Sequence, residues 1–258
     1  MSQLATVMNR LKPVSLLIAI VWAVSSCDLD AISTEDADID ELRLNISVDV
    51  FEKYIRASVL IQNESDRNVD VTSTDKVTLI CNSQRVELNR GLQLPIFDND
   101  EFVGELSVVP EEGDMITVEY QSEQGETLSS FGFVPSRFKL SVEVDGLMPV
   151  QEPINRSAAI QAIISNIDER YEHTLDYNTK CRDIDERHRT TERLNSSLNV
   201  HDLNVEHLTI PGRSSSENMI CGTSIELRRT DIGIIDSRLD GGEYRISTMA
   251  TEGFSTGP

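Results

Sequence analysis

The sequence predicts an all-β protein: two immunoglobulin-like β-sandwich modules that follow a signal peptide and an acidic tether. Beyond residue 41, apolar and polar residues alternate with a period of two in many segments, which is the pattern of half-buried strands. Turn signals separate these segments at short intervals. About seven short strands in about 90 residues is the strand spacing of an immunoglobulin-like sandwich.

The first module is predicted over residues 42–135. Apolar residues alternate strictly with polar ones from Leu42 to Val50, and the pattern repeats from Ile55 to Ile61. Val77, Leu79 and Cys81 share one face of a third strand. Further strands are predicted over residues 85–88, 102–109, 115–121 and 127–134.

The second module is predicted over residues 136–258, because Pro135 interrupts the alternation and Phe138 restarts it. Two stretches allow more than one interpretation. Residues 154–167 fit a short helix as well as a strand, and the polar residues 183–193 fit an exposed loop or a mobile hairpin. Strands are predicted over residues 138–144, 158–166, 175–181, 205–210, 219–229 and 243–250.

Composition excludes some classes of partner. The chain of 258 residues is 39% hydrophobic and 26% charged, which is normal for a globular protein, and its net charge is −21. An acidic surface repels phosphate backbones and anionic headgroups. We therefore expect no binding to nucleic acid and no attachment to a membrane through a basic patch.

The first 26 residues resemble a bacterial lipoprotein signal peptide. Arg10 and Lys12 form a positive start, and the apolar run from Val14 to Val24 is shorter than the about 20 residues needed to span a bilayer. The sequence Val-Ser-Ser-Cys that ends at Cys27 resembles a lipobox. An uncleaved helix or a plain secretory signal is the alternative interpretation.

The resemblance implies a diacylglycerol on the sulfur of Cys27, often with a third acyl chain on its nitrogen; two or more chains anchor a protein stably. Asp28 resembles the inner-membrane retention signal of enteric lipoproteins, and the outer membrane is the alternative destination. In either case the protein is expected in the cell envelope, facing the periplasm.

Residues 27–41 are predicted to be a disordered tether after the lipidated cysteine, because half of the positions from Asp28 to Glu41 are acidic. Calcium binding is the alternative for this segment. The regular calcium-loop motif is missing, so we favour the tether.

The remaining three cysteines divide between the modules. Cys81 alone lies in the first, in phase with core residues, and is predicted to be a buried free thiol. Cys181 and Cys221 lie on strand-like segments of the second, and export favours a disulfide between them. A two-cysteine metal site completed by His188 or His207 is the competing interpretation.

The C-terminal segment from Cys221 resembles the end of uncharacterised proteobacterial lipoproteins. It reads Cys-Gly-Thr-Ser-Ile-Glu-Leu-Arg-Arg-Thr-Asp-Ile-Gly-Ile-Ile-Asp, followed by Leu-Asp-Gly-Gly at Leu239 and Tyr-Arg-Ile-Ser-Thr at Tyr244. The junction Phe-Val-Pro-Ser-Arg-Phe at Phe133 is also similar. The resemblance implies a signal peptide and two sandwich-like modules, with a cysteine pair in the second. It implies no catalytic residue.

Three polar groups are candidates for chemistry. His201 and His207 flank a predicted turn, and we expect surface histidines rather than zinc ligands there. Asp98 and Asp100 lie in the densest acidic loop of the folded part and are weak candidates for calcium ligands. The arginines of residues 182–193 alternate with acids and fit a salt-bridged surface better than a phosphate site.

The leading hypothesis is a membrane-anchored, non-catalytic envelope module that contacts a protein partner or contributes to envelope structure. The alternative is a lipoprotein that binds a small ligand or a glycan, with calcium at Asp98 and Asp100 as one route. A carboxylate-based hydrolase is the third hypothesis, because apposed acids cannot be recognised in a sequence. No cofactor is predicted.

Overall fold

The computed structural model of the protein describes residues 32–33, 38–63, 69–70, 72, 74–91, 101–148, 153–182, 186–195, 198–212 and 219–258. The signal peptide of residues 1–26 lies outside the described residues. So do Cys27, Asp28, Asp98 and Asp100.

The described chain is built almost entirely from strands, which confirms the all-β prediction. No α-helix occurs among the described residues, and two short 3-10 helices span Ile39–Glu41 and Val205–His207. In the first half the strands are β1 (Ile32–Ser33), β2 (Leu42–Val50), β3 (Ile55–Asn63), β4 (Val69–Asp70), β5 (Lys76–Cys81), β6 (Gln84–Glu87), β7 (Asn89–Arg90), β8 (Glu101–Leu106), β9 (Met115–Gln121) and β10 (Thr127–Phe133). In the second half they are β11 (Leu140–Val144), β12 (Ile154–Asn155), β13 (Ile160–Ile164), β14 (Glu172–Cys181), β15 (Arg187–Arg193), β16 (Val200–Asp202), β17 (Cys221–Ile232) and β18 (Gly241–Gly257).

One sheet runs through both halves of the chain. Its strand order is β15, β14, β17, β18, β2, β3, β8, β7, and β12 pairs with the C-terminal end of β18. Two smaller sheets complete two cores: β10-β9-β5-β6 beside the first and β11-β13-β16 beside the second. The molecule therefore consists of two sandwich-like halves that share a layer.

The first core follows the alternation of the sequence. In β2 the residues Leu42, Leu44 and Ile46 are buried, whereas the positions between them are not. Complete burial of such a side chain contributes roughly 1.5–3 kcal/mol. Leu79 of β5 and Val118 of β9 belong to the same cluster, so the four-stranded sheet closes this core.

The C-terminal strand β18 connects the two cores. Its first half pairs in parallel with β2, and Arg245–Thr256 pairs antiparallel with β17. Tyr244 and Ile246 belong to the first core, and Phe254 belongs to the second. The Tyr244 hydroxyl also donates a hydrogen bond of 3.0 Å to the Ile116 carbonyl in the opposite sheet.

This strand changes the predicted division of the chain. The chain passes from one core to the other near Ser136. Residues 136–258 nevertheless contribute to both cores, because Leu239, Tyr244 and Ile246 belong to the first. The approach of β18 to β2 requires glycine at Gly242, which has φ +124°; a Cβ there would stand 2.0 Å from the Leu44 carbonyl oxygen.

One local prediction is wrong, and the structure decides two that the sequence left open. Residues 205–210 are not a strand: Val205–His207 is a 3-10 helix, and Asn204 caps it by accepting a hydrogen bond of 3.1 Å from the Glu206 amide. Residues 154–167 contain strands β12 and β13 rather than a helix. The polar stretch forms a hairpin partner of β14, namely β15, and residues 183–185 lie outside the described residues.

Two parts of the segment predicted as a tether have defined structure. Ile32–Ser33 pairs in parallel with β4, and Ile39 of the first 3-10 helix packs against the first core. Among the described residues no helix has the length and apolar character needed to cross a membrane.

Candidate functional site

A buried arginine marks the junction of the two cores. Arg229 of β17 is 0% exposed and lies opposite Thr248 of β18. Its Nη1 donates hydrogen bonds of 2.8 Å to the Ser136 carbonyl and 2.6 Å to the Ser136 hydroxyl, and its Nη2 donates to the Asn166 carbonyl. The guanidinium therefore fixes the connecting segment at Ser136 to the second half of the molecule.

His173 is the fourth partner of this arginine. Nε of Arg229 donates a hydrogen bond of 3.0 Å to Nε2 of His173, which assigns the imidazole proton to Nδ1. Burial and the neighbouring Arg229 charge lower the pKa of His173, and burial lowers the pKa of Arg229. The rings of Phe138 and Tyr171 lie 4.8 and 5.5 Å from the guanidinium carbon.

A cleft opens beside this junction. Its volume is about 250 Å³, and the hydroxyl of Thr248 in its wall is buried without a hydrogen-bond partner in the described part of the chain. The wall combines the rings of Phe51 and Phe138 with the charged side chains of Glu52 and Arg137. The lining residues are Val50, Phe51, Glu52, Arg137, Phe138, Thr248 and Met249.

A second polar cluster closes one side of the second core. Nε2 of His201 lies 2.8 Å from Oε2 of Glu192, and the Tyr177 hydroxyl donates to the same oxygen at 3.1 Å. Nδ1 of His207 lies 3.2 Å from Oε1 of Glu192, within ion-pair distance but not aligned for a hydrogen bond. Burial and Glu192 raise the pKa of Tyr177, which keeps its hydroxyl protonated as a donor.

The two histidines that the sequence analysis named, His201 and His207, lie together in this cluster, and the group between them is the carboxylate of Glu192. Glu192 lies on β15 and His201 on β16, so the contacts link the edges of two sheets. No group of three or more His, Cys, Asp or Glu side chains within the described ranges is arranged to hold a metal ion.

The predicted disulfide is confirmed. Cys181 of β14 lies opposite Cys221 of β17, their Cα atoms are 3.8 Å apart, and the bond spans a sequence separation of 40 residues. Arg156, which is 7% exposed, donates to the sulfur of Cys221 at 3.2 Å and to the hydroxyl of Thr256 at 3.0 Å. The metal site proposed as the competing interpretation is excluded, because both thiolates are consumed.

The prediction for Cys81 is also confirmed: it is free and buried.

A shallow depression lies on the outer face of the shared sheet, near the C-terminal end of β18. Its volume is about 460 Å³. Lys180 and Arg187 bound it on one side. The other lining residues are Asn178, Gly222, Thr223, Ser224, Gly253, Phe254 and Ser255.

The predicted salt-bridged arginine surface forms only in part. Arg193 pairs with Glu172, whereas Arg187 and Arg189 face Lys180 and Asn178 across the strand pair. Sequence reasoning missed the buried Arg229. Its signal was nonetheless present, since Arg229 continues the buried phase of Ile225 and Leu227 in β17.

The fold defines a class of protein, an all-β molecule with two cores on one shared sheet. Comparison adds no narrower assignment: the sequence matches no protein-family model, and no curated protein matches it.

Proposed function

We propose that the chain is a bacterial lipoprotein, anchored in the cell envelope through Cys27 and facing the periplasm, where it acts as a non-catalytic binding and structural module. The observation that carries this proposal is the lipobox-like sequence ending at Cys27, placed directly before an acidic segment and a folded β region. The buried Cys181–Cys221 disulfide fits an oxidising compartment.

The fold supports the structural part of the proposal. A sheet shared by two cores holds both halves in one orientation. The described chain enters this sheet at Leu42, close to the start of β18, so surfaces near the end of β18 lie far from this entry point. Such an arrangement suits a module that displays a binding face away from the membrane.

Fractionation of cells fed a radiolabelled fatty acid tests the anchor. The parent protein is expected in the membrane fraction with label. Cys27→Ser is expected to be unlabelled and either unprocessed or soluble, because no other side chain there takes a thioether-linked lipid. Cys81→Ser is the matched control and should keep label and location. A labelled, membrane-bound Cys27→Ser protein would contradict the proposal.

A small-ligand function is the second candidate, and the cleft at the junction is the observation that favours it. The charged side chains of Glu52 and Arg137 offer a ligand polar contacts, and Phe51 and Phe138 offer apolar contact. Ligand-detected NMR with a panel of amino acids and monosaccharides tests it. Binding should weaken in Glu52→Gln and persist in the control Glu252→Gln, which alters an exposed position of β18 outside the cleft. Equal binding by both variants would exclude this cleft.

A further inference from the structure

Two cations lie side by side where the sheet would be more stable with opposite charges. Lys180 of β14 is directly paired with Arg187 of β15, and Arg189 occupies the next position on the same face. Like charges in directly opposed positions of an antiparallel pair destabilise it. The chain has 44 acidic and 23 basic residues, so the pairing of two cations does not follow from an excess of basic residues.

These cations are not neutralised by the described part of the chain. All three are exposed, and none of the described carboxylates lies within ion-pair distance of Lys180, Arg187 or Arg189. Arg193 of the same strand does form an ion pair, with Glu172, which lies diagonally across the strand pair. Among the described residues these three cations have no ion-pair partner, and the nearest acids on the same face, Asp176 and Glu226, lie at the next pair of positions along the strands.

Two glycines line the depression beside these cations. Gly222 is the second residue of β17 and Gly253 lies within β18, and glycine inside a strand weakens the sheet. Neither has a positive φ, a Cβ at Gly253 would meet no atom within 4 Å, and one at Gly222 would meet only the Lys180 carbonyl at 4.0 Å. Neither packing nor backbone conformation therefore requires glycine at these positions. Close approach of a ligand to the backbone would require it.

From these contacts we infer that the end of the shared sheet binds an anionic glycan, a polysaccharide that carries carboxylate or phosphate groups. Lys180, Arg187 and Arg189 contact the anionic groups through charge-assisted hydrogen bonds. The side chains of Asn178, Ser224 and Ser255 contact the sugar hydroxyls from the floor.

The lining favours a glycan over an acidic peptide. Amide and hydroxyl groups surround the depression, and its open shape suits a chain that lies across the surface rather than a side chain inserted in a pocket. The site is also remote from the start of β2: from Gly241, which pairs with Arg43, to Ser255 the strand extends about 45 Å. The inference rests on the proposed function only in that anchoring would place this face among envelope polymers.

Binding of the full chain, purified in detergent, to polygalacturonate tests the inference. Dextran is the neutral polymer for comparison, and polyglutamate is the anionic peptide. The parent is expected to bind polygalacturonate more tightly than either, and Lys180→Gln/Arg187→Gln is expected to weaken this binding by about tenfold or more. Gly253→Thr should weaken it similarly without lowering the melting temperature, since a β-branched residue suits a strand.

The control variant Lys53→Gln/Arg85→Gln removes the same charge from exposed positions elsewhere and should bind as the parent does. Equal loss in this control would show an effect of net charge alone and overturn the inference. Unchanged binding by Lys180→Gln/Arg187→Gln, no preference of the parent for polygalacturonate over dextran, or equally tight binding of polyglutamate would each overturn it as well. None of these outcomes changes the lipid label on Cys27, so failure here remains distinct from failure of the anchor.

Discussion

Nε of Arg229 donates a hydrogen bond to Nε2 of His173 at a point where neither side chain is more than 1% exposed. A charged group is stable there because backbone carbonyls and an imidazole satisfy its donors and two aromatic rings cover it. The pair joins the connecting segment at Ser136 to β14 and β17 of the second half.

Replacement of this arginine should destabilise the whole molecule. Arg229→Met removes the hydrogen bonds to Ser136, Asn166 and His173, and a hydrogen bond to a charged group contributes about 1.5–3 kcal/mol. We expect a loss of roughly 3 kcal/mol or more in urea unfolding. Arg245→Met, at a side chain 51% exposed on β18, should change stability little. Comparable losses in the two variants would show that the junction has no special role.

Stability should fall in mild acid through His173. Because the pKa of His173 in the folded protein lies below its ordinary value of 6.5, the unfolded chain takes up this proton at higher pH than the folded one. The contribution of the neutral ring is fully present above about pH 6.5 and is lost as the pH falls below it. The parent should therefore lose more melting temperature between about pH 7.5 and 5.5 than His173→Gln does. His188→Gln should behave as the parent does, and identical profiles for all three proteins would count against the assignment.

The disulfide should contribute a large share of the stability. The bond closes a loop with a sequence separation of 40 residues, and chain-entropy estimates for such a loop are about 4 kcal/mol. Cys181→Ala/Cys221→Ala should unfold at distinctly lower urea, while non-reducing mass spectrometry of the parent should find the joined peptides. A variant as stable as the parent would show that the folded second half does not depend on this bond.

The free thiol should be inert in the native protein. Cys81 is 1% exposed, and burial raises its pKa to about 11, so little thiolate forms at neutral pH. Maleimide should react slowly before denaturation and rapidly after it. Fast native labelling would mean that this strand does not face the core.

Alternation of apolar and polar residues predicted the strands that bury one face, such as Leu42–Val50, because burial imposes that period. It failed at β15, where both faces are exposed or half-buried and no core selects the residues. It also failed at residues 205–210, where Val205, Leu208 and Ile210 follow the spacing of a turn rather than a strand.

The pairing of β18 with β2 was not predictable in the same way. The two strands are distant in the sequence, and a strand signals which face is buried but not which neighbour it pairs with. The contacts between polar side chains could not be predicted either. Glu192 contacts His201 and His207 because β15 and the segment that contains β16 lie on the same side of the second core.

We expect the two cores joined by β18 to unfold as one unit. Pulse labelling of Cys81 with maleimide across a urea gradient tests it, with Cys181→Ala/Cys221→Ala compared with the parent. Cys81 lies in the first core and the disulfide lies beside the second. If the two cores unfold together, Cys81 becomes reactive at a lower urea concentration in the variant than in the parent. The circular dichroism signal is then lost at the same urea concentration. An unchanged midpoint for Cys81, with circular dichroism lost in two separate steps, would contradict the claim.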